Sequence, residues 1–141
     1  MPVKFFREET NFHLKERILL KNWIKLTILE EKHKLGNINF IFTSDNYLLK
    51  INKEYLSHNY FTDIVTFNYC ENNLINGDIF ISVDTIENNS ALFNVAFTSE
   101  LHRVMIHGIL HLIGYDDQNA EDKRKMSEKE NHYLERLKNL F

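Results

Sequence analysis

Cysteine is almost missing from this chain. Cys70 stands alone among 141 residues, which excludes an internal disulfide framework and fits a reducing compartment. One proline and four glycines leave little backbone punctuation, so the chain should be built of regular elements joined by short connections. No run approaches the ~18 apolar residues that a membrane span needs, and the first residues lack the apolar stretch of a secretory signal. A soluble cytoplasmic protein without membrane association is therefore expected. Basic excess is also lacking: 17 Lys and Arg face 20 Asp and Glu, a net charge of −3, whereas a nucleic-acid-binding domain is often strongly basic. Repeats, low-complexity tracts and linkers are absent, so residues 1–141 read as one domain.

What is present suffices for a well-filled core: 43% hydrophobic residues, with 11 Phe. Pro2–Phe6 reads as a short first strand. From Leu14 to about Lys32, apolar residues at Leu14, Ile18, Leu19, Trp23, Ile24 and Ile28 recur at helical steps, with Gly36 as the stop. Asn37–Phe42 alternates like a half-buried strand. Ser44 or Asp45 can cap a helix whose face carries Leu48, Ile51 and Tyr55. Ile64–Tyr69 and Gly77–Val83 read as two strands joined by a hairpin-like return. Asp84 with Glu87 resembles a capping box for a helix reaching about Asn94. A longer helix should run from about Thr98 to Ile113 and end at Gly114. Asn119 can cap a last helix that buries Met126, Tyr133 and Leu137. The sum is an α+β chain of about four strands and five helices.

The chemistry gathers at the end of the long helix. His107 and His111 are four residues apart, so both imidazoles lie on one face and can reach one ion. The pair alone carries little weight, because seven histidines in a chain this long produce such a spacing by chance in roughly one sequence of three. The residues beyond the pair matter more. Gly114 can turn the chain back, and three residues later Asp117 can supply an anionic oxygen to the same ion. Two imidazoles and one carboxylate, with a fourth place for water, form a catalytic rather than a structural zinc pattern. The expected ligands of one Zn²⁺ are therefore His107, His111 and Asp117. No side chain is assigned as catalytic; water at the fourth position is the expected nucleophile.

The spacing His-x3-His-x2-Gly-x2-Asp parallels that of the metzincin proteases, H-E-x-x-H-x-x-G-x-x-H. Their glutamate is the general base, and here that position is Gly108. The metal pattern survives while the protease base is lost. A glycine inside a helix costs about 1 kcal/mol relative to alanine, which suggests that space over the metal is wanted there, for a bulky substrate.

Several segments in order resemble the YbeY endoribonucleases: Asn52-Lys53-Glu54-Tyr55, Thr62-Asp63-Ile64-Val65-Thr66-Phe67, Gly77-Asp78-Ile79-Phe80-Ile81-Ser82 and His107-Gly108-Ile109-Leu110-His111-Leu112-Ile113-Gly114-Tyr115-Asp116. They span about residues 40 to 120. The resemblance implies a small mixed sheet flanked by helices, a zinc held by three side chains, and a single-strand-specific endoribonuclease. Its expected role is small-subunit (16S) rRNA 3′-end maturation and ribosome quality control, with rRNA and the small subunit or its proteins as partners. Three positions depart from the family pattern. Asp117 replaces the usual third histidine, Leu56 stands where an arginine is usual, and Phe61 replaces the proline before Thr62-Asp63. Without that arginine the scissile phosphate needs another cation, for which Lys53, His58 and Arg103 are candidates. Arg103 lies on the ligand stripe, where a surface salt bridge is the alternative role. His102 and His132 fall off it and should be exposed. Asp63 and Asp78 read as turn residues, Asp116 as a partner of a ligand histidine or a turn cap, and Lys123-Arg124-Lys125 as a solvated helix start. Two other functions compete: a ribosome-assembly factor with a mainly structural metal, and a metzincin-type protease.

Overall fold

The computed structural model describes residues 2–58 and 62–141. The elements run β1 (Val3–Glu8), α1 (Arg17–Glu30), β2 (Lys34–Thr43), α2 (Asp45–Leu56), β3 (Ile64–Asn68), β4 (Leu74–Ser82), α3 (Val83–Leu92), α4 (Phe97–Ile113) and α5 (Ala120–Leu140). Their sheet order is β1-β2-β4-β3, with β1 and β4 parallel to β2 and β3 antiparallel to β4. The expected mixed four-stranded sheet flanked by helices is what forms.

Alternation along the strands sets the layers. Phe40, Phe42, Ile79 and Ile81 face α1 and α4 in one continuous core with Trp23, Ile24, Val104 and Ile109. Helix α5 lies over α1 and α4 and adds Met126, Tyr133 and Leu137 to that core, while α2 packs on β3 and β4. Ile41 and Val65 are buried outside the main core cluster, as strand alternation requires of residues under α2, and Leu48 is the buried apolar residue of α2 itself. The indole N–H of Trp23 donates to the Tyr133 carbonyl at 2.7 Å, which satisfies a buried donor and locks α1 to α5.

Several boundaries differ from expectation. Helix α1 ends at Glu30, ahead of Gly36, and Lys32 makes the turn with φ 67°. Gly36 lies inside β2, where an added Cβ would come 2.7 Å from the Ile75 carbonyl oxygen; it permits the close approach of β2 to β4 beside the register shift between Leu35 and Ile38. Ile18 is 86% exposed, so the α1 stripe is carried by Leu20, Trp23, Ile24, Thr27 and Ile28. In α2 it is Asn52 that is buried with Leu48, whereas Tyr55 is exposed. Helix α3 is capped by Ser82 rather than Asp84, because the Asp84 carboxylate instead accepts the backbone N–H of Asp45 at the start of α2. The caps at Ser44 and Asn119 form as expected.

Candidate metal centre

Helix α4 is apolar on the side that meets the sheet and carries its histidines at the margin of that stripe. The candidate ligands His107 and His111 emerge in its last two turns. The His107 and His111 rings stand edge to face with centroids 4.5 Å apart. Beyond them Gly114 adopts φ 123°, a conformation side chains resist, and the chain folds back. The backbone N–H groups of Gly114 and Tyr115 close on the Leu110 carbonyl at 3.1 and 3.0 Å. The Asp116 carboxylate accepts the N–H of Asp117 at 2.8 Å, so Asp116 caps the turn rather than bonding a ligand histidine.

This turn aims Asp117 at both imidazoles. Its Oδ2 lies 3.4 Å from His107 Nε2 and 3.4 Å from His111 Nε2. A tetrahedral ion with bonds of about 2.1 Å separates its donor atoms by about 3.4 Å, so both measured edges have the right length. One donor atom from each of the three residues lies within 4.8 Å of the others. The cluster could hold a metal ion.

Each imidazole is held by its other nitrogen. His107 Nδ1–H donates to the Glu130 carboxylate on α5 at 2.6 Å, and His111 Nδ1–H donates to the Tyr115 carbonyl at 3.0 Å. Both contacts fix the ring orientation and leave Nε2 facing Asp117, the outer-shell arrangement of metal-binding histidines. Burial alone would lower the His107 pKa. The hydrogen bond and charge of Glu130, with Asp117 and Asp63 adding theirs, outweigh it and hold the ring above its ordinary value.

Around His107 the surroundings are acidic. Burial pushes the Asp63 carboxyl above its ordinary value, against the pull of His107, and burial together with the charge of Asp63 does the same to Glu100. Arg103 is the counter-cation: its guanidinium bonds Glu130 at 2.8 Å and Asn131 at 2.7 Å. The salt-bridge alternative for Arg103 thus holds, with a largely buried partner that also carries His107.

Gly108 departs from expectation. It is buried, and an added Cβ would lie 3.0 Å from Ile64 Cδ1 and 3.0 Å from Ile79 Cγ2. The glycine serves the approach of α4 to the sheet and not space over the metal. A glutamate at this position would be driven into the core, so the position cannot host a protease base.

Comparison with known proteins shows the family. Residues 5–138 match the family described as Endoribonuclease YbeY. The chain belongs to the YbeY endoribonuclease family. The YbeY endoribonuclease of Cytophaga hutchinsonii is 42% identical over 133 residues, covering 94% of this chain and 93% of that protein. Its counterpart in Flavobacterium johnsoniae is 46% identical over 129 residues, covering 92% and 93%. A solution structure from Thermotoga maritima superposes with a TM-score of 0.68 at 29% identity, covering 96% of this chain and 88% of that one.

The remaining candidates take varied places within this YbeY fold. Lys53 lies in the last turn of α2 and His58 two residues beyond its end; both are exposed. Leu56 closes the same helix at 38% exposure, and Phe61 lies outside the described residues. His102 is not exposed as expected: it packs edge-on against Trp23, and burial lowers its pKa. His132 is exposed and bonds Glu30 at 2.5 Å. Asp78 is a strand residue that accepts from Asn39 at 2.9 Å and not a turn residue, whereas Asp63 sits at the bend before β3 as expected and offers its carbonyl to the Ser82 N–H. Lys123, Arg124 and Lys125 are exposed at the start of α5.

The sequence reading missed Glu130 and Glu31. A signal for the first was available: Glu130 falls between Met126 and Tyr133 on the apolar stripe of α5, where an unpaired carboxylate is rarely tolerated. Glu31 gave none. It comes directly after α1 and accepts from Tyr115 at 2.6 Å, from Lys129 at 3.0 Å and from Tyr133, pinning the turn whose carbonyl holds His111.

Proposed function

We propose that this chain is a zinc-dependent, single-strand-specific endoribonuclease that acts in 16S rRNA 3′-end maturation and ribosome quality control in the cytoplasm, with one zinc bound by His107, His111 and Asp117. The observation that carries the metal assignment is the pair of 3.4 Å edges from Asp117 to the two Nε2 atoms, with both Nδ1 atoms already bonded elsewhere. RNA as substrate rests on family membership.

The protein's own groups do the positioning. Glu130 and the Tyr115 carbonyl take the Nδ1–H of His107 and His111 and turn each Nε2 toward Asp117, whose carboxylate would supply the anionic ligand. A zinc ion held by His107, His111 and Asp117 would supply Lewis-acid chemistry there, making a bound water more acidic, with a pKa toward ~7, and a phosphoryl oxygen more electrophilic.

The assembly-factor reading keeps one supporting observation. Arg103, the candidate phosphate clamp on the same helix as the two histidines, is committed to Glu130 and Asn131. One experiment separates the two. Purified wild type and Asp117→Asn are assayed together for zinc content and for cleavage of single-stranded RNA, with and without chelator. The nuclease reading expects chelator-sensitive cleavage that falls with zinc occupancy in the variant. Cleavage that survives both chelator and His111→Ala would trace to a contaminant, and no cleavage by fully loaded wild type would favour assembly.

A further inference from the structure

Charge is unevenly distributed. The first 25 residues carry six Lys and Arg against three Glu, a net of +3, while the other 116 carry eleven against seventeen, a net of −6. Three of the early cations converge. Arg7 lies near the end of β1, and Arg17 and Lys21 lie in the first turns of α1. The Arg17 guanidinium stands 6.0 Å and the Lys21 ammonium 5.7 Å from the centroid of the Phe5 ring. The Arg7 guanidinium bonds the His13 ring at 2.8 Å. Arg7 and Arg17, together with Phe5 and Phe12, line a cleft of about 280 Å³, and Lys21 stands beside it across the Phe5 ring.

These cations differ from those on α4 and α5. Arg103, Arg124, Lys125, Lys129 and Arg136 each pair with a carboxylate. Among the described residues, none of Arg7, Arg17 and Lys21 has a carboxylate within the 4.0 Å of an ion pair. Strand alternation turns Glu8 away from Arg7. Glu8 and Glu9 act instead on Tyr47 of α2, whose phenol is pushed up by burial first and then by their charges.

Unpaired cations beside partly exposed rings match one polymer well. Phosphates take the cations, and splayed bases take the ring faces; the Phe5 and Phe12 rings beside these cations are half-buried. We propose that this N-terminal cleft is a second contact for single-stranded RNA, gripping its backbone away from the metal centre. The inference rests on the chain being a ribonuclease. Phe12 packs on Phe97 in the first turn of α4 with centroids 5.7 Å apart, and His107 comes ten residues later, roughly 15 Å along the helix axis. The cleft thus contributes affinity and leaves the chemistry to the far end of the helix.

The test measures binding of a short fluorescent single-stranded RNA, in EDTA, across a salt series. It compares wild type with the triple variant Arg7→Gln, Arg17→Gln, Lys21→Gln and with a control triple variant Lys123→Gln, Arg124→Gln, Lys125→Gln, which removes equal charge from α5. Losing three phosphate contacts at about 0.7 each should flatten the slope of log Kd against log salt by about 2. It should also raise Kd at low salt by about tenfold or more, while cleavage of saturating RNA by the zinc-loaded variant stays within about twofold. The control should keep the wild-type slope. If wild type binds RNA and the cleft variant binds with the same slope and Kd, the cleft proposal is wrong. Equal flattening in the control variant also overturns it, because the effect is then bulk charge. If wild type shows no salt-dependent RNA binding, the RNA reading of the whole chain falls and the cleft with it.

Discussion

Two imidazoles four residues apart on one helix are held here by unlike acceptors, and the difference is experimentally useful. His111 bonds a backbone carbonyl, which no substitution removes. His107 bonds Glu130, which is 7% exposed and shared with Arg103. Glu130→Gln keeps the volume and one hydrogen-bonding oxygen but removes the charge that supports the His107 ring. Loss of such an outer partner typically weakens metal binding 10–100-fold. Zinc affinity of the variant, measured by competition with a chromophoric chelator, should fall within about that range. The chain should stay folded with a stability loss of about 1–3 kcal/mol. Unchanged zinc affinity beside the same stability loss would make Glu130 only a bridge between α4 and α5.

At the scale of elements, the turn after α4 depends on a residue far from it in the sequence. Glu31 comes directly after α1, and the phenols of Tyr115 and Tyr133 and the Lys129 ammonium all donate to it. Burial would raise the Glu31 carboxyl, but these donors outweigh it and hold the group below its ordinary 4.5. A carboxyl with a depressed folded-state pKa stabilises fully above its unfolded value, and that stabilisation is lost as pH falls through the folded one. Unfolding by urea should therefore show wild-type stability declining from about pH 4.5 downward, with a flatter profile in Glu31→Gln, whose stability near pH 7 should already be lower by about 1–3 kcal/mol. Parallel profiles for the two proteins would remove Glu31 from this role. The contrast with the ligands shows what a sequence reveals. Helices α4 and α5 were readable because periodicity and caps are local, and the three candidate ligands lie within one helix end and one turn. Glu31 reaches Tyr115 across 84 residues and Tyr133 across 102, and no local pattern announces such a contact. Gly36 and Gly108 were misread for the same reason: what each glycine makes room for belongs to a distant strand, Ile75 in one case and Ile64 and Ile79 in the other.

Across the whole molecule, the core and the metal cluster are separate structures. Trp23, Phe40, Ile79, Met105 and Tyr133 are each at most 1% exposed and hold α1, α4, α5 and the sheet together with no metal ligand among them. Among the described residues no helix is long and apolar enough to cross a membrane. A metal in such a protein should add stability by mass action without being required for folding. Zinc at about 100 times its Kd adds ~2.7 kcal/mol, and for a chain of this size each kcal/mol moves Tm by roughly 3–4 °C. The thermal midpoint read by circular dichroism should therefore rise by about 8–10 °C between EDTA and zinc in wild type and stay unmoved in His111→Ala. The far-ultraviolet spectrum in EDTA should remain that of the folded chain. If the helical signal instead collapses on chelation, the metal is structural, the separation between core and site is wrong, and the assembly-factor reading gains what the nuclease reading loses.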